Sequence, residues 1–171
     1  MGRIVVGVDA SPHARRALAW AAAEARLRQA VLQVVHAYHA KSLTAPVYFG
    51  SQHTRDAAVG AAGGPQPELT ASVHRREAFE AAVRSQADEL LEGLLVELGE
   101  TVSGVEVQQT VVEDRHPAEA LVQLSVDAEL LVVGSRGRGG FSELLLGSVS
   151  HAAVLHAVCP VVVVPSARDE R

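Results

Sequence analysis

The sequence predicts an α/β fold in which a five-stranded, mainly parallel sheet carries helices on both faces. Three observations predict it. Five short runs rich in Val, Leu and Ile recur along the chain without polar alternation, the pattern of strands buried on both sides. Helix-like sequence separates successive runs, and a strand–helix–strand order requires right-handed parallel crossovers. Residues suited to starting helices follow three of those strands: Ser11-Pro12, Pro117 and Ser148.

The first strand is "RIVVGVD" (3–9), β-branched and uncharged between its ends. "ASPHARRALAWAAAEARLRQA" follows as a helix, with Ala14, Leu18, Ala21 and Ala25 along one side. "VLQVVHA" (31–37) is the second strand. From 38 to about 73 no period is sustained, and Gly63-Gly64-Pro65 interrupts the chain. We read a loop insertion at about 41–73, either a surface excursion or a lid over a ligand. Helical periodicity returns from His74 to Leu98, with Phe79, Val83, Leu90, Leu94 and Leu98 in one stripe. "GVEVQQTVV" (104–112) is the third strand, and a short helix starts at Pro117. "AELLVVG" (128–134) is the fourth strand, a helix runs from about Ser148 to Ala157, and "CPVVVVP" (159–165) is the fifth strand. Trp20 and Phe79 are expected between sheet and helices, and Cys159 is expected to pack inertly.

A length of 171 residues suits one domain, 1–171, with a sizeable core. A net charge of -5 argues against a general nucleic-acid binder, which would present a basic face. Lys41 is the only lysine, so lysine chemistry has one candidate. With Cys159 as the only cysteine, neither an intrachain disulfide nor a cysteine-based metal site can form. The apolar run after Met1 is too short for a signal-peptide core, and none approaches the roughly 20 residues that span a bilayer. The expected location is the cytoplasm. His36/His39 and His151/His156 lack the spacing that puts two ligands on one helix face, so no metal site is expected.

Doubly wound sheets bind ligands beyond the carboxyl ends of their strands, where strand order reverses. The usual phosphate loops are missing. There is no GxxxxGK[ST], no G-x-G-x-x-G after the first strand, and no SGGxDS. No G-x-S-x-G elbow presents Ser11 or Ser148 as a hydrolase nucleophile. What remains is "VVGSRGRGGFSELLLGSVSHAA" (132–153), with Gly134, Gly137, Gly139, Gly140 and Gly147 beside Arg136 and Arg138. Glycines let a ligand approach the backbone, and successive N–H groups form an anion-binding nest. A helix beginning at Ser148 adds the N–H groups of Val149 and Ser150 and a favourable dipole. Glu143 puts an acid within this loop.

The spacing G-x2-G-x9-G-[ST], Gly134 to Ser148, resembles the nucleotide signature of the universal stress protein family, ATP-binding branch. "IVVGVDASPHARRALAWA" and "GSVSHAAVLHAVCPVVVVP" are similar to that family's first and last segments. The resemblance covers nearly the whole chain except 41–73. It implies strand order 3-2-1-4-5 with the ligand between strands 1 and 4. It also implies that Asp9 faces the adenosine portion, with Gly7, Val8 and Ala10 beside it. Ala37 would lie against the adenine, Val133 and Gly134 would complete that wall, and Ser135 and Arg136 would continue into the loop. Gly137, Gly147, Ser148, Val149 and Ser150 would hold ribose and phosphates. A carboxylate can accept from an adenine amine or a ribose hydroxyl but repels phosphate, so Asp9 is expected at the nucleoside end. Two departures stand out. Asp9-Ala10-Ser11 replaces the family's frequent D-G-S, putting alanine where a positive φ would be resisted, and Asp114-Arg115-His116-Pro117 replaces its frequent G-x-P.

The implied function is an ATP-binding regulatory module, with any Mg²⁺ held by the phosphates. A slow ATPase using Glu143 with Arg136 or Arg138, and a nucleotide-free interaction scaffold, stand as alternatives. A uniformly apolar last strand at a sheet edge would aggregate unless paired. Pairing with its own copy through 161–165 predicts a homodimer, which the resemblance also implies.

Overall fold

The computed structural model describes residues 2–39, 67–114, 116–137 and 145–165. Along the chain run β1 (Arg3–Gly7), α1 (Pro12–Arg28), β2 (Val31–Tyr38), α2 (Pro67–Glu97), α3 (Gly99–Val102), β3 (Val107–Glu113), α4 (Pro117–Leu124), β4 (Leu130–Gly134), α5 (Ser148–His156) and β5 (Val161–Val164). The strands form one sheet in the order β3-β2-β1-β4-β5, and every pairing is parallel. The five expected strands are all present, each within a few residues of its expected bounds.

The two faces hold separate apolar layers. On one, Ile4, Val6, Leu32, Val34 and Val132 pack against α1 and against Leu91 and Leu94 of α2. On the other, Val5, Val35, Leu131 and Val133 pack against Leu121 of α4 and Ala153 of α5. Both faces of the central strands are therefore covered, which explains their lack of alternation. Alanines along α1 (Ala14, Ala17, Ala21, Ala22 and Ala25) are buried and let this helix lie close to the sheet. The core is built from small and branched residues rather than rings, as the scarcity of aromatics requires.

Four local readings change. The helix α2 begins at Pro67, ahead of the expected His74, so its first turns overlap the expected insertion at 41–73, and residues 40–66 lie outside the described chain. Its buried stripe runs through Val83, Ala87, Leu91 and Leu94, so Leu91 rather than Leu90 faces the core. The short α3 had no periodic signal to announce it. Trp20 is 38% exposed and does not fill the sheet–helix interface.

No helix among the described residues is long and apolar enough to cross a membrane. The last strand, β5, is bonded to β4 and forms one edge of the sheet, with Val161, Val162 and Val163 half-buried.

Candidate functional site

β1 and β4 are neighbours, yet β1 leads away toward β2 and β4 leads the other way toward β5. At this reversal the two chains diverge beyond their carboxyl ends and leave a crevice. A cavity of about 420 Å³ occupies it, within the size range of small-ligand pockets. Gly7, Val8 and Asp9 from β1 and its turn form one wall, with Ala37 of β2 beside them. Val133, Gly134, Arg136 and Gly137 form the β4 side. Gly147, Ser148, Val149 and Ser150 close the far end. Of the residues singled out from the sequence, Ala10 and Ser135 are not on this wall. Pro117 and Leu121 of α4 and Leu146 supply apolar surface that the sequence reading missed. Pro117 is the residue left after the departure from G-x-P, and only the packing of α4 against the sheet carries it into the crevice.

The β1 turn is held by its own side chains. Oδ1 of Asp9 accepts from the Ser11 N–H at 3.1 Å, and Oγ of Ser11 accepts from the Ala14 N–H at 3.1 Å. Ser11 is thus the N-cap of α1, with Pro12 in its first turn. Between them Ala10 takes φ 63, the left-handed conformation that its Cβ resists. The turn keeps the geometry of D-G-S without its glycine. A second oxygen, Asp9 Oδ2, lies so close to Gly137 that a Cβ there would come within 2.5 Å of it. The Asp9 carboxylate therefore reaches across the crevice to the β4 loop.

Two strand-end glycines on the cavity wall also have a packing explanation. A Cβ on Gly7 would meet Leu121 Cδ1 at 2.6 Å, and one on Gly134 would meet Cβ, C and O of His13 at 3.0–3.1 Å. These glycines let α4 and the first turn of α1 close against the sheet from opposite faces. Buried His36 adds support from β2, its Nδ1 lying 2.8 Å from the Val8 carbonyl oxygen.

The far end is a junction. The Ser135 N–H donates to Val164 O at 2.8 Å, and the Ser135 carbonyl accepts from the Gly147 N–H at 2.7 Å. Oγ of Ser150 donates to the Ser135 and Gly147 carbonyls, each at 3.0 Å. The Ser135 and Gly147 amides and the buried Ser150 hydroxyl are thus bound within the protein, while Gly147 and Ser150 line the cavity.

Beside Arg136 and Gly137 on this wall lies the first turn of α5. The N-cap is Gly147, not Ser148, and it brings no side chain to the helix end. The N–H groups of Ser148, Val149 and Ser150 precede the first intrahelical bond, which His151 makes to Gly147 O at 2.9 Å. No acidic residue lies in that turn. A helix start of this kind favours a phosphate or carboxylate. Arg138 and Glu143 lie outside the described residues. Among the described residues, no group of three or more His, Cys, Asp and Glu could hold a metal ion.

Comparison with known proteins agrees with this architecture. Residues 1–165 match the model of the universal stress protein family. A universal stress protein of Thermus aquaticus is 33% identical over 163 residues, covering 94% of this chain and 96% of its own. One of Mycobacterium tuberculosis is 36% identical over 160 residues, and there the chain spans 44% of the relative's length. Among solved structures, the universal stress protein from Archaeoglobus fulgidus superposes with a TM-score of 0.59 at 26% identity, covering 96% of this chain and 93% of its own. Another, solved in complex with dAMP, gives 0.57 at 23% identity, covering 96% and 98%.

Proposed function

This chain belongs to the universal stress protein family, and from that premise we propose that it is a regulatory module that binds ATP in the crevice between β1 and β4. One observation carries the reading. A cavity of nucleotide size ends on a helix start whose first amides have no capping side chain, while its opposite wall is small and apolar. Adenine and ribose lie against Val8, Ala37, Val133 and Leu121, and the phosphates reach the amides of Ser148, Val149 and Ser150. Asp9 accepts from the nucleoside. The complex of a relative with dAMP supports an adenylate as the ligand class.

Mg²⁺, when bound, is held by the phosphates and water and offsets their charge. Micromolar affinity requires about 8 kcal/mol, within reach of a few charge-assisted amide bonds and a buried base. The chain works as a cytoplasmic homodimer paired through 161–165, which covers an apolar edge strand. Binding beside Arg136 and Gly137 changes the surface offered to a protein partner. A slow ATPase would use Glu143 with Arg136 or Arg138, and of these only Arg136 is among the described residues.

Isothermal titration of the purified protein with ATP, ADP, AMP and dAMP tests this reading, with native mass spectrometry to find co-purified nucleotide. Saturable binding by at least one adenylate is expected. Silence for all four from folded protein without nucleotide would end it. Sedimentation should give a dimer at micromolar concentration.

A further inference from the structure

The turn after β1 holds an alanine in the left-handed region, at φ 63. A residue with a Cβ stays there only when its surroundings over-determine it. One device comes from within the turn, the bond from the Ser11 N–H to Asp9 Oδ1 at 3.1 Å. Another comes from outside. Nη1 of Arg15, on α1, donates to the Ala10 carbonyl oxygen at 2.8 Å. Its Nε points the other way and donates to both carboxylate oxygens of Glu97, at 3.0 and 3.1 Å, at the end of α2. One planar guanidinium thus fastens the Ala10 carbonyl to a second helix. Arg15 is not on the cavity wall, whereas Asp9 is, with its Oδ2 against Gly137.

We infer that Arg15, braced by Glu97, is a positioning residue for the nucleotide site: it holds the Ala10 carbonyl, fixes the left-handed turn and so places the Asp9 carboxylate across the crevice. The inference rests on the proposed nucleotide site but concerns residues outside it. The Arg15 and Glu97 side chains are 37% and 53% exposed, so their ion pair contributes little to stability as charge, and substituting either leaves the core intact. What the pair supplies is direction. It makes the end of α2 a determinant of affinity, although no described residue of α2 lies on the cavity wall.

The test uses the difference between alanine and glycine at position 10. A glycine adopts positive φ without Cβ strain, so a turn containing it no longer needs the brace. ATP affinity is measured for the wild type, Arg15→Ala, Glu97→Gln, Ala10→Gly and the double variant Ala10→Gly/Arg15→Ala. Arg15→Ala is expected to weaken binding three- to tenfold and Glu97→Gln about half as much on a logarithmic scale. In the glycine background, Arg15→Ala should change affinity by less than about twofold. An equal loss in both backgrounds would mean that Arg15 acts on the ligand through its charge, and would overturn the inference, as would no loss in either.

Amide hydrogen exchange at Ser11 supplies a readout that needs no ligand. Arg15→Ala should speed exchange severalfold in the alanine background and not in the glycine one. If the wild type binds no adenylate but exchange follows this pattern, the nucleotide reading fails and the positioning role stands. Unchanged exchange overturns the positioning role by itself.

Discussion

Of the helices that begin at the crevice, α1 and α5 begin differently. The start of α1 is closed by the protein: Ser11 Oγ takes the Ala14 N–H, Pro12 removes a donor from the first turn, and Asp9 takes the Ser11 N–H. The start of α5 differs, because its N-cap is a glycine that brings no side chain to the first amides. Both ends carry a dipole of the same sense, but α1 has fewer donors to offer. On the proposed reading only α5 takes the anion. The contrast ties that reading to a missing cap, and ties Ser-Pro before a helix to structure rather than ligand.

Substitution can invert this contrast. The largest effect is expected from Gly147→Asp, which gives α5 the cap that α1 already has. The backbone there is extended, at φ -76 and ψ 171, and a Cβ would find its nearest neighbour at an ordinary 3.4 Å. The carboxylate would cap the amides and repel phosphate. Affinity for ATP should fall on the order of a hundredfold, since like charges at close quarters cost several kcal/mol. The melting temperature should hold or rise. Unchanged affinity by calorimetry would remove the phosphate from α5.

Next comes Gly134→Ala, which drives a Cβ into the His13 backbone at the closed helix. Overpacking of this kind costs about 1–3 kcal/mol, read in urea unfolding, with affinity falling as a secondary result. Ser11→Ala removes the cap of α1 and should cost about 1 kcal/mol by the same measurement. Smallest is Ala10→Gly: relief of roughly 1–2 kcal/mol of left-handed strain is set against about 0.5–1 kcal/mol of added chain entropy. Stability should hold or rise by up to about 1 kcal/mol in thermal unfolding.

Much of the fold could be read from the sequence, because burial on both faces writes itself as unbroken apolar runs such as "IVV", "LLVV" and "VVVV". Where no such pressure acts, the sequence is mute. The four-residue α3 has no buried residue and no period, and the first turns of α2 follow a stretch rich in Gly and Pro that reads as loop. The glycines of the site were legible as places needing close approach, but not as to what approaches. Leu121 and His13 do so at Gly7 and Gly134, and Asp9 does so at Gly137. Ser150 was legible as an amide donor at a helix start, but not as a residue whose hydroxyl faces inward to two carbonyls. Arg15 gave no signal at all, since an arginine on an exposed helical turn is indistinguishable from any solvated one until its carbonyl partner is seen.

Ser135 ties the outgoing chain to the last strand and the returning chain to the outgoing one. The described chain on either side of 138–144 is therefore anchored at one residue. Lengthening, shortening or replacing 138–144 should leave the scaffold undisturbed, as a detachable blade leaves its handle. Sequence change can then accumulate in that segment while the parallel sheet stays constant.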